Sequence, residues 1–251
     1  MPNFLSDGIS LSYQVFGDGK PILLIHGFAS NVEINWVSTG WVETLTGAGY
    51  RVVAFDNRGH GKSQKLYDPS LYFAREMAAD AGRLLDHLDI ERLPVIGYSM
   101  GARITAFLAL QAPQRLSCAV LGGMGMNLVT GLADSEAIIS ALTAETLAEV
   151  TDKSGRQFRI FAEHSGADRA ALAACMIHSR EPMPAADVRR IEVPTLVAVG
   201  AEDEMAGSPS DLAALLPHGE AFTIPRRDHM RATGDAEFKA ATLAFLASHE
   251  G

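Results

Sequence analysis

The chain has 251 residues, of which 47% are apolar and 20% charged, and it carries a formal net charge of −9 at neutral pH. That length suits one α/β domain with an insertion rather than two full enzyme domains, and the composition is that of a folded chain with a sizeable core. The acidic balance, with no lysine- and arginine-rich run to offset it, works against nucleic acid and anionic membrane surfaces as partners and leaves a small-molecule substrate.

The opening stretch, MPNFLSDGISLSYQ, has no basic segment ahead of an apolar core. No run approaches the ~18 apolar residues of a membrane span, so a cytoplasmic protein is expected. The two cysteines, Cys118 and Cys175, form no disulfide framework and have no metal-ligand spacing, which fits a reducing compartment.

In chain order, Ile9–Phe16 alternates apolar and polar residues and reads as part of an antiparallel edge. Short, continuous apolar runs follow at residues 22–25, 52–55, 95–96, 119–121 and 196–199. Continuous runs are expected of strands covered on both faces of a parallel sheet. Between them lie helical patterns. Met77, Ala81, Leu84, Leu85 and Leu88 share one face, a second helix spans Met100–Gln111 before Pro113, and Phe238, Ala241, Thr242 and Phe245 follow helical spacing near the end. The alternation predicts right-handed βαβ units in a doubly wound, mostly parallel sheet with helices on both faces.

The alternation stops between residues 126 and 187. That stretch is rich in alanine and holds about three short helical patterns, one from near Asp134 (Ile138, Ile139, Leu142, Leu147) and one from near Asp168 (Leu172, Cys175, Met176). It reads as a small helical cap inserted over the sheet end, dividing the chain into core (1–125), cap (126–187) and core again (188–251). Gly131, Gly155 and Gly166 would allow hinges in it.

The sharpest chemical signal is Gly97-Tyr98-Ser99-Met100-Gly101, placed directly after the strand LPVIG and directly before a helix. A serine on a tight strand-to-helix turn needs small neighbours, and the two glycines supply them. The turn aims the Met100 N–H and the helix N-terminus at the space where an oxyanion would form.

With this motif the chain resembles the α/β-hydrolase fold family over nearly its whole length. His26-Gly27-Phe28 after the strand PILLI resembles the family's H-G loop, and the resemblance implies the Phe28 N–H as second oxyanion donor, with His26 and Gly27 lining the site. The block from Asp56 to Ser63 (DNRGHGKS) resembles a structural turn of the family, so His60 is not expected in catalysis. The family's order of nucleophile, acid and base implies Asp203, in the loop AEDEMAG after the run TLVAVG, and His229, before the final helix. Glu202 or Glu204 would replace Asp203 if that loop were offset by one residue. Asp228, whose side chain diverges from that of its neighbour His229, reads as a loop-fixing residue. Asp80, Asp86 and Asp89 read as surface or capping residues.

These assignments imply acyl transfer, with Ser99 as nucleophile, His229 as general base and Asp203 as its orienting acid, and they need no metal or organic cofactor. The expected reaction is hydrolysis of a carboxylic ester, lactone or thioester. A C–C hydrolase, an enol-lactonase, a perhydrolase or a slow-turnover ligand sensor would share the same triad. Tyr98, Met124, Met126, Met205 and Met230, with Met100, suggest an adaptable apolar substrate pocket, although Met124 and Met126 fit ordinary core packing equally well. Arg103, four residues after Ser99, reads as one half of a structural ion pair, or as a group reaching an acidic substrate.

Overall fold

The apolar runs become strands because both faces of each strand are covered. The computed structural model describes residues 1–131 and 135–249. Its eight strands are β1 (Asn3–Ser6), β2 (Ile9–Phe16), β3 (Lys20–Ile25), β4 (Tyr50–Phe55), β5 (Leu93–Tyr98), β6 (Leu116–Gly122), β7 (Thr195–Gly200) and β8 (Gly219–Ile224). Along β3 and β4, Leu23, Ile25, Val53 and Phe55 enter one apolar cluster, whereas Ile22, Leu24, Val52 and Ala54 enter the other. Successive side chains point to opposite faces, so a strand buried on both sides loses its polar alternation.

The strands form one sheet in the order β1-β2-β4-β3-β5-β6-β7-β8, with β1 and β2 antiparallel and the rest parallel. Two strands escaped the sequence reading as members of this sheet. β1 has four residues and one partner, and β8 is an edge strand mostly open to solvent, so neither carries a long apolar run.

The helices, in chain order, are α1 (Trp41–Gly47), α2 (Ala74–His87), α3 (Met100–Gln111), α4 (Asn127–Thr130), α5 (Ser135–Thr143), α6 (Lys153–His164), α7 (Arg169–His178), α8 (Ala185–Val188), α9 (Pro209–Ala213), α10 (His229–Ala232) and α11 (Ala236–Ser248). Apolar residues of α2 and α3 pack in the first cluster, and those of α1 and α11 in the second. Chain order places β4 on one side of β3 and β5 on the other. The crevice at the carboxyl ends of β3 and β5 is therefore a topological switch point, where open α/β sheets bind ligands.

All helices from α4 to α8 lie between β6 and β7 and form a helical insertion. Ile138, Leu142, Ala162, Leu172 and Met176 join the same apolar cluster as α2 and α3, so the insertion is packed onto the core. The helix expected from near Asp134 is α5, described from Ser135, and Asp134 itself lies outside the described residues. Gly155 is not a hinge. It sits in α6, where a Cβ would come within 2.7 Å of Ala137 O, so it is the contact that lets α5 and α6 approach. No described helix is long and apolar enough to cross a membrane.

Asp80 also departs from the sequence reading. It is buried on α2 and takes a two-pronged ion pair from Arg58, with Nε 2.7 Å from Oδ2 and Nη2 2.6 Å from Oδ1. Ser6 Oγ donates to the same carboxylate and Arg58 Nη1 donates to Leu71 O, so the pair ties β1, the loop after β4 and α2 together.

Candidate active site

Ser99 is the single residue between the end of β5 and the start of α3, with φ 54° and ψ −113°. A non-glycine residue in such a region costs on the order of 1–3 kcal/mol and persists only where its surroundings over-determine it. Here the Ser99 N–H donates to Gly122 O at 2.8 Å and its carbonyl accepts from Arg103 N at 3.1 Å. The flanking glycines are required by contact. A Cβ on Gly97 would lie 2.2 Å from Gly101 O, and one on Gly101 would lie 1.9 Å from Ile25 O. Any other residue would drive β3, β5 and α3 apart just where they converge on Ser99.

Three strand ends then meet. His229 Nε2 lies 3.0 Å from Ser99 Oγ, and His229 Nδ1 lies 2.7 Å from Asp203 Oδ2. The Asp203 side chain is fully buried in the loop after β7, and its other oxygen accepts the N–H groups of Met205 (2.9 Å) and Ala206 (3.0 Å). Its partners are therefore fixed oxygen by oxygen. Glu202 and Glu204 are exposed, and Asp228 caps α10 by accepting from Arg231 N at 2.8 Å. The imidazole needs Nδ1 protonated to donate to Asp203, which leaves Nε2 free to accept from Ser99.

Gly27 packs against the nucleophile turn, where a Cβ would sit 3.2 Å from Tyr98 O and 3.5 Å from Ser99 Cβ. Its N–H is held by Asn35 Oδ1 at 2.9 Å. Among the described residues the N–H groups of Phe28 and Met100 donate to no backbone carbonyl outside regular structure. Two such donors at neighbouring loop and helix starts are the arrangement an oxyanion needs.

Two cavities open beside Ser99 and His229. One, of about 180 Å³, is bounded by Gly27, Phe28, Tyr98, Phe158, Phe161 and Met230, and is mainly apolar. The other, of about 20 Å³, is bounded by Met100, Arg103, Met124, Ser179, Arg180 and Met205. Of the expected lining residues, Met126 borders neither cavity; it directly precedes α4.

His26 does not face the cleft. It is fully buried, its Nε2 accepts from Asn57 N at 2.9 Å, and Nδ1 contacts Gly27 O at 2.8 Å. That partner set makes Nδ1 the protonated nitrogen and gives the ring a structural task, bracing the loop that carries Phe28. Burial lowers its pKa to about 4, so it stays neutral. His60 beside it is lowered to about 3 by burial first and the His26 ring second.

Arg103 corrects the ion-pair expectation. Among the described residues its guanidinium donates to carbonyl oxygens, those of Glu181 (2.6 Å), Asn127 (2.9 Å) and Leu128 (3.1 Å), and so ties α3 to the insertion. Sequence reasoning missed Arg180, Ser179, Phe158 and Phe161. The two phenylalanines are spaced i, i+3 on α6, a detectable one-face signal. Nothing local marks Arg180, because only the packing of α7 brings it over Ser99.

Residues 20–140 match the family model described as alpha/beta hydrolase fold. A solved hydrolase from Pseudomonas aeruginosa PA01 superposes with a TM-score of 0.80 at 27% identity, covering 98% of this chain and 97% of that one. The chain has the α/β-hydrolase fold. This hydrolase-fold chain is also 36% identical over 149 residues to a dihydrolipoyllysine-residue acetyltransferase component of an acetoin cleaving system from Cupriavidus necator, a match covering 58% of this chain and 38% of that protein. It is 38% identical over 114 residues to a putative non-heme chloroperoxidase from Synechocystis sp., covering 45% of this chain and 40% of the relative. The chain thus matches about two fifths of the length of these curated relatives.

Proposed function

We propose that this α/β-hydrolase cleaves a carboxylic ester, lactone or thioester of a small to medium apolar substrate through an acyl-enzyme on Ser99. The reading is carried by the unbroken hydrogen-bond chain from Ser99 Oγ through His229 to Asp203. As Ser99 Oγ attacks the carbonyl carbon, its proton passes to His229 Nε2, and the buried Asp203 carboxylate stabilises the imidazolium. The oxyanion forms against the Phe28 and Met100 N–H groups. His229 then protonates the leaving group, and water attacks the acyl-enzyme by the reverse sequence. The insertion at 126–187 acts as a cap, closing the apolar cavity with Phe158 and Phe161.

The test is hydrolysis of p-nitrophenyl esters from acetate to palmitate by wild type and Ser99→Ala. Turnover that depends on Ser99 and peaks at short to medium chains is the expected result. Equal rates for the two proteins on every ester would reject the reading and favour a ligand-binding role. The chloroperoxidase relative supports a second outcome at the same serine, attack of hydrogen peroxide on the acyl-enzyme to release a peracid. Peracid formation from an ester and peroxide would report it.

A further inference from the structure

The two cavities beside Ser99 differ in chemistry, and the smaller one holds a charge that the protein leaves unmatched. Arg180 follows the C-terminus of α7 and lines that cavity with Arg103 and Ser179. Its guanidinium carbon lies 5.6 Å from the ring centroids of both Phe28 and Phe158. Among the described residues no carboxylate pairs with it. The buried Cys175 thiol near it is pushed up to about 12 by burial, so it carries no charge to match the guanidinium.

Two neighbours sharpen the imbalance. Arg103 adds a second guanidinium at the same wall, and the Glu181 carboxylate, paired with Arg75 Nη1 at 3.1 Å, offsets the charge of Arg103 but not that of Arg180. Burial lowers both arginines to about 10, which still leaves them charged at neutral pH. Ser179 is 1% exposed and borders the cavity, and the Cys175 thiol is the one side chain that approaches its hydroxyl among the described residues. A half-buried charge with no carboxylate partner and a buried hydroxyl beside it both favour a polar occupant. Here they sit on one small cavity beside the nucleophile.

We propose that the substrate carries a carboxylate that seats in this cavity on Arg180 and Ser179, while its apolar arm lies against Phe158, Phe161 and Met230. This rests on Ser99 being the hydrolytic nucleophile. The planar guanidinium matches a planar carboxylate in two-pronged geometry, and about 20 Å³ admits one small polar group rather than a second apolar arm. With one arm anionic and the other apolar, the substrate can enter in one orientation only, which fixes its carbonyl between Ser99 Oγ and the Phe28 and Met100 N–H groups.

The experiment compares kcat/KM for matched anionic and neutral esters. One pair is mono-p-nitrophenyl glutarate and its methyl ester, with the carboxylate on the acyl side. The other is 4-(butyryloxy)benzoate and its methyl ester, with the carboxylate on the leaving group. In wild type one anionic member is expected to exceed its neutral partner by about 10- to 100-fold, the range of a charge-assisted hydrogen bond. Arg180→Gln should collapse that ratio to about 1 and Arg180→Lys should recover part of it, with circular dichroism confirming that both variants are folded. A wild-type ratio of 1 or less in both pairs, or a ratio unchanged in folded Arg180→Gln, overturns the inference and leaves the hydrolase reading intact. If no ester shows Ser99-dependent turnover, the hydrolase reading fails separately. Thermal shift with free glutarate then decides the anion site, since a rise in Tm in wild type that vanishes in Arg180→Gln supports it and no rise rejects it.

Discussion

Replacing Asp203 by asparagine separates the geometry of the triad from its electrostatics. In the wild type, Asp203 Oδ1 accepts two backbone N–H groups, from Met205 and Ala206, and Oδ2 accepts from His229 Nδ1. Asparagine has one acceptor oxygen and one donor nitrogen. The two backbone donors can be satisfied only if the amide oxygen takes the Oδ1 position, which places the amide NH2 against His229 Nδ1. His229 must then switch to the tautomer protonated on Nε2, and that nitrogen can no longer accept the Ser99 proton. The opposite flip would point the NH2 at Met205 and Ala206 and leave two buried N–H groups unpaired, at about 1–3 kcal/mol each.

The expected result is a fall in kcat of about 10⁴-fold, as when the analogous aspartate of a Ser-His-Asp protease is changed to asparagine, equivalent to ~5 kcal/mol of barrier. The fold should survive, because the loop bonds to Oδ1 persist. A protein of this size shifts Tm by ~2–4 °C per kcal/mol, so the midpoint should move by no more than a few degrees. The assay is p-nitrophenyl butyrate hydrolysis at saturating substrate, alongside a melting curve. If Asp203→Asn stays within tenfold of wild type, Asp203 does not set the His229 tautomer and another carboxylate must be sought.

Gly101→Ala tests the packing at the nucleophile turn. Its Cβ would fall 1.9 Å from Ile25 O, a backbone atom that cannot rotate away, so we expect either no folded protein or loss of several kcal/mol in urea unfolding; near-wild-type stability would show that the turn relaxes. The buried histidines set an acid limit. His26 titrates near 4 in the folded protein against 6.5 in the unfolded chain, so below pH 6.5 only the unfolded state gains its proton. The stability it contributes is present above pH 6.5 and is lost as pH falls to about 4, amounting to about 3 kcal/mol. His60 titrates still lower and adds a loss of the same sign. Unfolding free energies from pH 7 to 4 should fall more steeply for wild type than for His60→Asn, whose amide can keep the bond to Arg58 O; parallel curves would remove this histidine from the acid limit.

Much of the core was legible because burial on both faces leaves a plain mark. The runs at residues 22–25, 52–55 and 196–199 carry no polar alternation, and G-x-S-x-G sits where a strand gives way to a helix. Asp228 was separable from Asp203 by the divergence of neighbouring side chains, and it caps α10. The edge strands were harder. β8 presents most of its residues to solvent, so its pattern is that of a polar turn with a short apolar patch. Asp80 was misjudged for a related reason, since a carboxylate on a helix looks like surface until a distant Arg58 closes on it.

The sequence by itself determined that Ser99 sits on a strand-to-helix turn and needs glycine on either side of it, because both follow from one short segment whose backbone conformation is local. Tertiary structure alone decided which carboxylate faces His229, that His26 braces a loop rather than lining the cleft, and that Arg103 serves carbonyl groups instead of an ion pair. It alone placed Arg180 against the paired rings of Phe28 and Phe158. Each of those outcomes depends on contacts between residues 24 to 152 positions apart in the chain, for which no local periodicity or spacing carries information.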